Sequence, residues 1–440
     1  MLPIVTPDEM RAIDAAAPES DEVLIDRAGA AVARAAIDLL GGTYGRRVVV
    51  VAGKGNNGAD GRVAADRLRR AGARVLVVEA AEAPEVLPPS DLVIDAAYGT
   101  GFRGDWDPPA PAGAAVLAVD VPSGVDGRTG EAGDGVLRAE RTVTFAALKP
   151  GLLLGRGREL AGDVEVADIG LDPGEPPAGL VQDVDVAAWL PDRPPESHKW
   201  KAAVWVVAGS PGMTGAAALC TRAAQRGGAG YVRLSTPGGE PGAGTPTEAV
   251  GTALPASGWA DDVLDGVHRF AAVVVGPGLG PGHDADIRRL ADRCPVPLVL
   301  DGDGLVPGLT LRPEVVLTPH DGEYERLAGR PPVADRLHAA RELAAVVGAT
   351  LLLKGSTTVV TDPGGHCLVT TTGDARLATA GTGDVLSGLI GALLAAGMRP
   401  SHAAAAGAYL HGRAAHLGPR TGLVAGDLPD LLPSAVASLR

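Results

Sequence analysis

Aromatic residues are scarce in this 440-residue chain, at 3% of the total. Any core must therefore be assembled from Val, Leu, Ile and Ala. Cysteine is scarcer still. Cys220, Cys294 and Cys367 lie far apart in apolar or strand-like surroundings, which excludes a disulfide framework and reads as buried reduced thiols. No pair has zinc spacing, and His411 and His416 lack further ligands near them in sequence. Basic residues do not dominate, since 39 Lys and Arg face 53 Asp and Glu for a formal charge of −14. That balance excludes nonspecific nucleic-acid binding and attachment to anionic membranes. Any phosphate must be held by backbone amides or a few placed cations. No apolar run reaches the ~18 residues needed to cross a bilayer. The stretch from Met1 to Arg11 carries acidic residues where a signal peptide has its apolar core. A soluble, cytoplasmic protein is expected.

What is present is length enough for two or three domains. Pro173, Pro176, Pro177, Pro191, Pro194 and Pro195 crowd the segment from Leu171 to Ser197, which predicts a boundary between domains 1–193 and 194–440. On both sides short aliphatic runs alternate with helical patterns, an α/β arrangement with a largely parallel sheet. The runs 47–52, 74–79, 91–95, 115–120 and 142–146 read as strands in the first half. Helices are expected at 21–40 and 59–71, and Thr6-Pro7-Asp8-Glu9 opens another with a capping box. In the second half the strands are expected at 204–208, 232–235, 272–275, 298–300, 315–317, 350–353 and 358–360. Helices follow at 215–227, 284–293, 322–327, 334–347, 384–396 and 401–416.

Gly53-Lys54-Gly55-Asn56-Asn57-Gly58-Ala59-Asp60-Gly61 joins the first strand to its helix. The glycines fit G-x-G-x-x-G with Glu79 closing the next strand, a dinucleotide signature or simply a tight turn. Two adjacent amides add hydrogen-bond capacity that a pyrophosphate turn does not need. Asp95 ends a strand ahead of Gly99-Thr100-Gly101-Phe102-Arg103-Gly104-Asp105, and Asp120 ends the next ahead of Val121-Pro122-Ser123-Gly124-Val125-Asp126. In an open parallel sheet these loops share the rim where ligands bind, and their oxygens suit a hard cation. The plain alternative is that Asp120 and Asp126 cap loops through Asx-turns.

These motifs, together with Leu24-Ile25-Asp26-Arg27-Ala28-Gly29, make residues 5–170 resemble the NAD(P)H-hydrate epimerase family. The resemblance implies that Asn56, Asn57, Gly58, Ala59 and Asp60, then Gly99, Thr100, Gly101, Phe102, Arg103, Gly104 and Asp105, and finally Asp120 contact a hydrated dinucleotide. It also implies potassium near Asn57, Asp95 and Ser123, with Asp120 as the acid/base candidate. Ala59 replaces the family's usual glycine, a change expected to tighten the ligand's approach.

The most informative segment is Ala380-Gly381-Thr382-Gly383-Asp384, running into an apolar helix. Small residues let amides crowd an oxyanion, and the helix points its positive end at the same spot. Asp384 is placed to take a proton from a hydroxyl, which suits phosphoryl transfer, or it is only an N-cap. As a carboxylate at a helix N-terminus it is expected to have a lowered pKa. Five more loops end probable strands: Gly209–Ala217, Gly276–Gly280, Asp301–Leu305, Thr318–Glu323 and Lys354–Thr358.

Together these loops make residues 197–432 resemble the ADP-dependent NAD(P)H-hydrate dehydratase branch of the ribokinase-like superfamily. The expected fold is thus a Rossmann-like three-layer sandwich followed by a ribokinase-like α/β domain. The resemblance implies that Lys354, Gly355, Ser356, Thr357, Thr358 and Gly383 hold the adenine nucleotide. Ala216, Gly278, His320 and Asp384 would line the hydrate pocket, with Asp384 the catalytic base. ADP as co-substrate, magnesium for the nucleotide and assembly into a homo-oligomer are likewise implied. Trp200-Lys201-Ala202-Ala203 stands where the family shows glycines, a bulk expected to reshape a phosphate-facing turn. The function implied is repair of hydrated NADH or NADPH by epimerisation and ADP-driven dehydration. Two rivals stay open: a vitamin or sugar kinase fused to a nucleotide-binding domain, and a dinucleotide sensor without turnover.

Overall fold

A computed structural model describes the whole chain apart from Arg103, Asp105, Ala243 and Arg440. Two compact units emerge, Leu2–Pro177 and Ala178–Arg440 joined by Met1. The division falls before the predicted boundary at 193/194. The reason is that Ala178–Leu180 pairs as a strand with Cys367–Thr370, and Tyr409 donates a hydrogen bond to Asp183. Both contacts tie the proline-rich stretch to the second unit.

The first unit begins with β1 (Leu2–Pro3), whose Pro3 carbonyl accepts from Leu148 N. Helices α1 (Pro7–Ala15) and α2 (Asp21–Leu40) follow, and Thr6 with Glu9 closes the predicted capping box. Then come β2 (Arg47–Ala52), α3 (Asn56–Arg70), β3 (Arg74–Glu79), β4 (Leu92–Ala96), β5 (Ala115–Val119), β6 (Arg141–Phe145), α4 (Gly155–Leu160) and β7 (Asp163–Ala167). The strands form one parallel sheet in the order β3-β2-β4-β5-β6-β7. Alternate residues serve opposite faces. Val48, Val50, Leu92, Ile94 and Leu117 pack with α2 and α3 residues such as Val32, Ala36 and Leu68. Val49, Val51, Val93 and Val116 pack instead under Leu87 and Ala139.

The second unit runs β8 (Ala178–Leu180), α5 (Asp183–Trp189), β9 (Ala203–Val207), α6 (Thr214–Arg226), β10 (Tyr231–Pro237), β11 (Val250–Leu254), α7 (Trp259–Gly266), β12 (Ala272–Val275), α8 (Asp284–Arg293), β13 (Leu298–Leu300), β14 (Val315–Leu317), α9 (Asp321–Ala328), α10 (Arg336–Val347), β15 (Thr350–Leu353), β16 (Thr358–Thr361), β17 (Cys367–Thr370), α11 (Thr382–Ala395), α12 (Pro400–Leu417) and α13 (Leu428–Ala437). Its strands lie in the order β8-β17-β16-β15-β14-β13-β12-β9-β10-β11. From β15 to β11 they are parallel, while β16 is antiparallel to both its neighbours.

Helix α11 is buried almost all round, as its apolar sequence demands. It crosses α6 so closely that a Cβ at Gly388 would sit 2.0 Å from Cys220 O. All three cysteines are free and buried, as expected. No helix among the described residues is long and apolar enough to cross a membrane.

In both sheets the chain reverses its winding next to its first long strand. β2 leads outward to β3 and the chain returns to β4 on the other side; β9 leads to β10 and β11 and returns to β12. Such switch points open a crevice beyond the carboxyl ends of the strands.

Candidate active sites at two switch points

In the first unit, β2 and β4 end side by side. Gly53 lies so close to Ala97 that a Cβ would stand 1.9 Å from its carbonyl oxygen, and a Cβ at Gly58 would stand 1.9 Å from Gly53 O. These glycines are required by packing of the turn. Glu79, the acid that closes the dinucleotide signature, is engaged on both oxygens by Arg62 at 2.8 and 2.6 Å. The open volume lies elsewhere.

A cavity of about 710 Å³ is walled by α1, α2 and the loops after β2, β4 and β6. Of the residues singled out in the sequence, Asn56, Asn57, Asp60, Gly99, Thr100, Gly101, Phe102 and Asp120 line it. Gly58, Ala59 and Gly104 are not among its lining residues, so Ala59 does not narrow it. Arg103 and Asp105 fall outside the described residues. Leu24, Ile25 and Ala28 of the early helix motif form part of the wall. Met10, Asp14, Asp21, Tyr98, Lys149 and Ile169 also line it and were missed by the sequence reading.

Lys149 matters most among these. It is 1% exposed, and its Nζ reaches Asp120 Oδ1 at 2.9 Å, Thr144 Oγ1 at 2.9 Å, Phe145 O at 3.0 Å and Ala147 O at 3.2 Å. Asp120 accepts further bonds from Thr100 N and Thr144 Oγ1 at 2.8 and 3.0 Å. Burial opposes its charge, yet Lys149 brings the Asp120 pKa below the ordinary value. Asp120 itself has a positive φ of 66°, as does Ala146 near Lys149 at 61°, backbone strain of the kind that clusters at functional sites. Asp126, by contrast, is the loop cap foreseen as the alternative, accepting from Arg128 N and Thr129 N at 2.8 Å each.

Asp60 is buried, and its pKa rises to about 8 through burial first, then the charges of Asp120 and Asp14. It therefore keeps its proton near neutral pH. Asp95 is also buried and raised, because burial outweighs its bonds from Ser123 Oγ at 2.6 Å and Ser123 N at 2.9 Å. Asn57 has both side-chain polar atoms buried without a hydrogen-bond partner, next to Gly99 and Asp120.

In the second unit the loops after β9 and β12 meet through Gly209 N to Pro277 O at 2.9 Å and Ser210 Oγ to Gly278 O at 2.9 Å. A Cβ at Gly278 would stand 2.8 Å from Ala216 Cβ, so the structure brings these two expected pocket residues together. The loop after β15 brings Lys354 to α11, where a Cβ at Gly383 would lie 3.4 Å from Lys354 Nζ. Lys354 Nζ binds Asp301 Oδ1 at 2.8 Å and stands 3.5 Å from Glu323 Oε2. Gly355, Ser356, Thr357 and Thr358 form the turn into β16, and Arg336 Nη2 pins its start through Lys354 O at 2.8 Å.

Expectations for Asp384 and Trp200 change, and His320 has a structural part. His320 is the exposed N-cap of α9, its Nδ1 accepting from Gly322 N and Glu323 N at 3.1 and 3.2 Å, and its Nε2 stands 3.6 Å from Glu323 Oε1. Asp384 is not an N-cap, since α11 starts at Thr382 behind Gly381. Its pKa is raised to about 6, not lowered: burial and the charge of Asp301 outweigh Lys354. Trp200 precedes β9 at the amino end of the strand, opposite the rim, packed at a tilt against Tyr231 with ring centroids 4.3 Å apart and under Arg269. Its bulk does not touch a phosphate-facing turn.

A Rossmann-like unit and a ribokinase-like unit, each with a Lys–Asp pair and a second carboxylate beyond the carboxyl ends of its strands, define a two-site protein. Comparison with known proteins agrees. Residues 204–437 match the NAD(P)H-hydrate dehydratase family, and residues 21–86 and 78–151 match the YjeF-related protein N-terminus family. A bifunctional NAD(P)H-hydrate repair enzyme of Mycobacterium leprae is 39% identical, covering 96% of this chain and 94% of its own. One from Escherichia coli is 33% identical, covering 89% and 85%. The crystal structure of the ADP/ATP-dependent NAD(P)H-hydrate dehydratase of Bacillus subtilis, co-crystallised with ATP and Mg2+, is 31% identical with a TM-score of 0.52. It covers 59% of this chain and 98% of that one. The chain belongs to the family of bifunctional NAD(P)H-hydrate repair enzymes.

Proposed function

We propose that the first unit interconverts the R and S hydrates of NADH or NADPH, and that the second dehydrates the S form at the expense of ADP, giving AMP and phosphate. The observation that carries this reading is Asp384 in the first turn of α11, beside a lysine and unpaired with it.

Hydroxide is a poor leaving group, so the C6 hydroxyl of the hydrate needs activation. In this reading Asp384 accepts the hydroxyl proton as the C6 oxygen forms a bond to the β-phosphorus of ADP. The bond from that phosphorus to the bridging oxygen breaks, and AMP leaves. Phosphate then departs from C6, pushed by the ring nitrogen lone pair, and loss of a proton from C5 restores the dihydronicotinamide. Amides at Gly381–Gly383 and the Lys354 ammonium would meet the charge in transit, the larger part of such catalysis. Lys354–Thr358 would hold the nucleotide, and Ala216 with Gly278 the hydrate. Among the described residues no group of three or more His, Cys, Asp or Glu could hold a metal ion. Magnesium would enter with the nucleotide's phosphates.

In the first unit Asp60, protonated near neutral pH, would assist loss of the C6 hydroxyl as water, leaving an iminium cation. The carboxylates of the cavity favour that cation. Asp120 would then take a proton from the water that adds to the opposite face. The orphaned Asn57 amide and the buried Asp95 beside Ser123 fit a monovalent cation with oxygen ligands. Potassium held there would supply fixed positive charge beside Asp120.

The test is to incubate the protein with hydrated NADH and ADP and to follow NADH absorbance and AMP. Recovery of NADH with equimolar AMP is expected. A stable phosphorylated product, or ligand binding without AMP, would replace this reading with a kinase or a sensor.

A further inference from the structure

One buried carboxylate has no part in the reaction just described. Asp301, which follows β13, is 3% exposed, and a buried charge is costly unless it is paired. Its Oδ1 accepts from Lys354 Nζ at 2.8 Å and from Thr318 Oγ1 at 2.7 Å. Its Oδ2 lies 2.6 Å from Ser387 Oγ, which is also 2.9 Å from Gly383 O. A Cβ at Gly383 would stand 3.9 Å from Asp301 Oδ2. One carboxylate thus links the loop after β15 to the first turn of α11.

We propose that Asp301 is the positioning residue of the dehydratase site, holding the Lys354 ammonium at the first turn of α11 so that the transferred phosphoryl group meets a cation already in place. This rests on the dehydratase reading above and adds what fixes its cation. A lysine on a flexible four-carbon stem otherwise loses rotamer freedom when it engages a ligand. A cation set in advance needs no reorganisation as charge moves. An ammonium has three donors, so pairing with Asp301 and Glu323 does not exhaust it. The same negative charge reaches Asp384, where it stands second to burial in raising the pKa, with Lys354, Glu323 and Asp303 also facing that carboxyl.

The experiment uses the full chain, ADP and the S hydrate of NADH. Asp301→Asn keeps an acceptor of the same size and removes the charge. We expect kcat to fall about 100-fold with KM for ADP changed less than about 5-fold. The double variant Asp301→Asn/Lys354→Met should lose no more than Lys354→Met alone, because the two groups act as one unit. The acid limb of kcat/KM should move to lower pH. A merely structural role predicts additive losses and an unmoved limb, and either result overturns the proposal. Should Asp301→Asn fail to fold, Ser387→Ala removes one bond and keeps the charge. A fall in kcat of about 5-fold supports the proposal, and an unchanged kcat overturns it. Wild-type protein that forms no AMP would sink the dehydratase reading itself, whereas an active wild type with indifferent variants sinks only the role of Asp301.

Discussion

Asp384 ties stability to activity through a single proton. Its pKa of about 6 against an ordinary 3.8 means the native state resists ionisation of this group. The resistance is on the order of 2 kcal/mol once solvent screening of a half-buried carboxyl is allowed for. The sign follows from linkage. Between pH 4 and 6 the unfolded chain has released this proton while the native chain still holds it, so stability falls as pH rises through that window and stays level above it. Asp384→Asn mimics the protonated form. It should therefore leave stability unchanged near pH 4 and raise that of the second unit by up to about 2 kcal/mol at pH 8. Catalysis should move the other way, since Asn cannot accept a proton: ADP-dependent NADH recovery should drop more than about 100-fold. In the wild type kcat/KM should decline below about pH 6. Thermal unfolding at both pH values, with absorbance assays from pH 5 to 9, reads all three. Activity of Asp384→Asn within tenfold of wild type, or a kcat/KM that stays flat down to pH 4.5, would refute the assignment of Asp384 as the base.

Two predictions concern the first unit. Lys149→Met leaves the largely buried Asp120 carboxylate without its lysine, and should destabilise that unit by about 3 kcal/mol while abolishing epimerisation; denaturant unfolding that shifts by less than about 1 kcal/mol would contradict the pairing. Asp95→Ala should weaken epimerisation and its response to potassium without affecting dehydration of pure S hydrate, and equal loss of both activities would argue against separate sites.

Much of this architecture could be read in the chain itself. Continuous aliphatic runs such as Val48–Val51 and Ala272–Val275 are buried on both faces and betray parallel strands directly. Edges and short pieces were not legible. Val250–Leu254 is exposed over most of its length, Asp163–Ala167 alternates, and α13 carries Pro433 inside it. Helix α3 begins at Asn56, ahead of the predicted 59, because Gly55 caps it without a side-chain bond to announce it. The site divided the same way. Loops at strand ends were visible one by one, so Asn57, Asp120, Lys354 and Asp384 could be singled out. Their partners could not. Asp301 and Lys354 are 53 residues apart, and only the sheet order makes them neighbours. The sign of the Asp384 shift was missed for that reason: local sequence shows a helix end, while the burial that raises the pKa most, and the Asp301 charge that adds to it, come from the tertiary fold.

Those partners reveal a common device in two unrelated folds. Each unit sets a lysine against an aspartate that follows a strand, Lys149 on Asp120 and Lys354 on Asp301. In each, a second carboxylate has its pKa raised, by burial first and by the charge of that ionised aspartate next, Asp60 to about 8 and Asp384 to about 6. Like charges in a dry cleft cannot all ionise equally, so the pair keeps its charge and the neighbour yields. The two displaced values fall on opposite sides of neutrality. At pH 7 Asp60 keeps its proton, which suits a hydroxyl leaving as water in a reversible epimerisation. Asp384 has released its proton, which suits a hydroxyl that must become a nucleophile toward phosphorus. The substrate carries the same hydroxyl to both sites, and what differs is which way its proton is asked to move. A pH profile of each activity separates the two. Epimerisation should fade as pH rises past about 8 while dehydration persists, and dehydration should fade below about 6 while epimerisation persists.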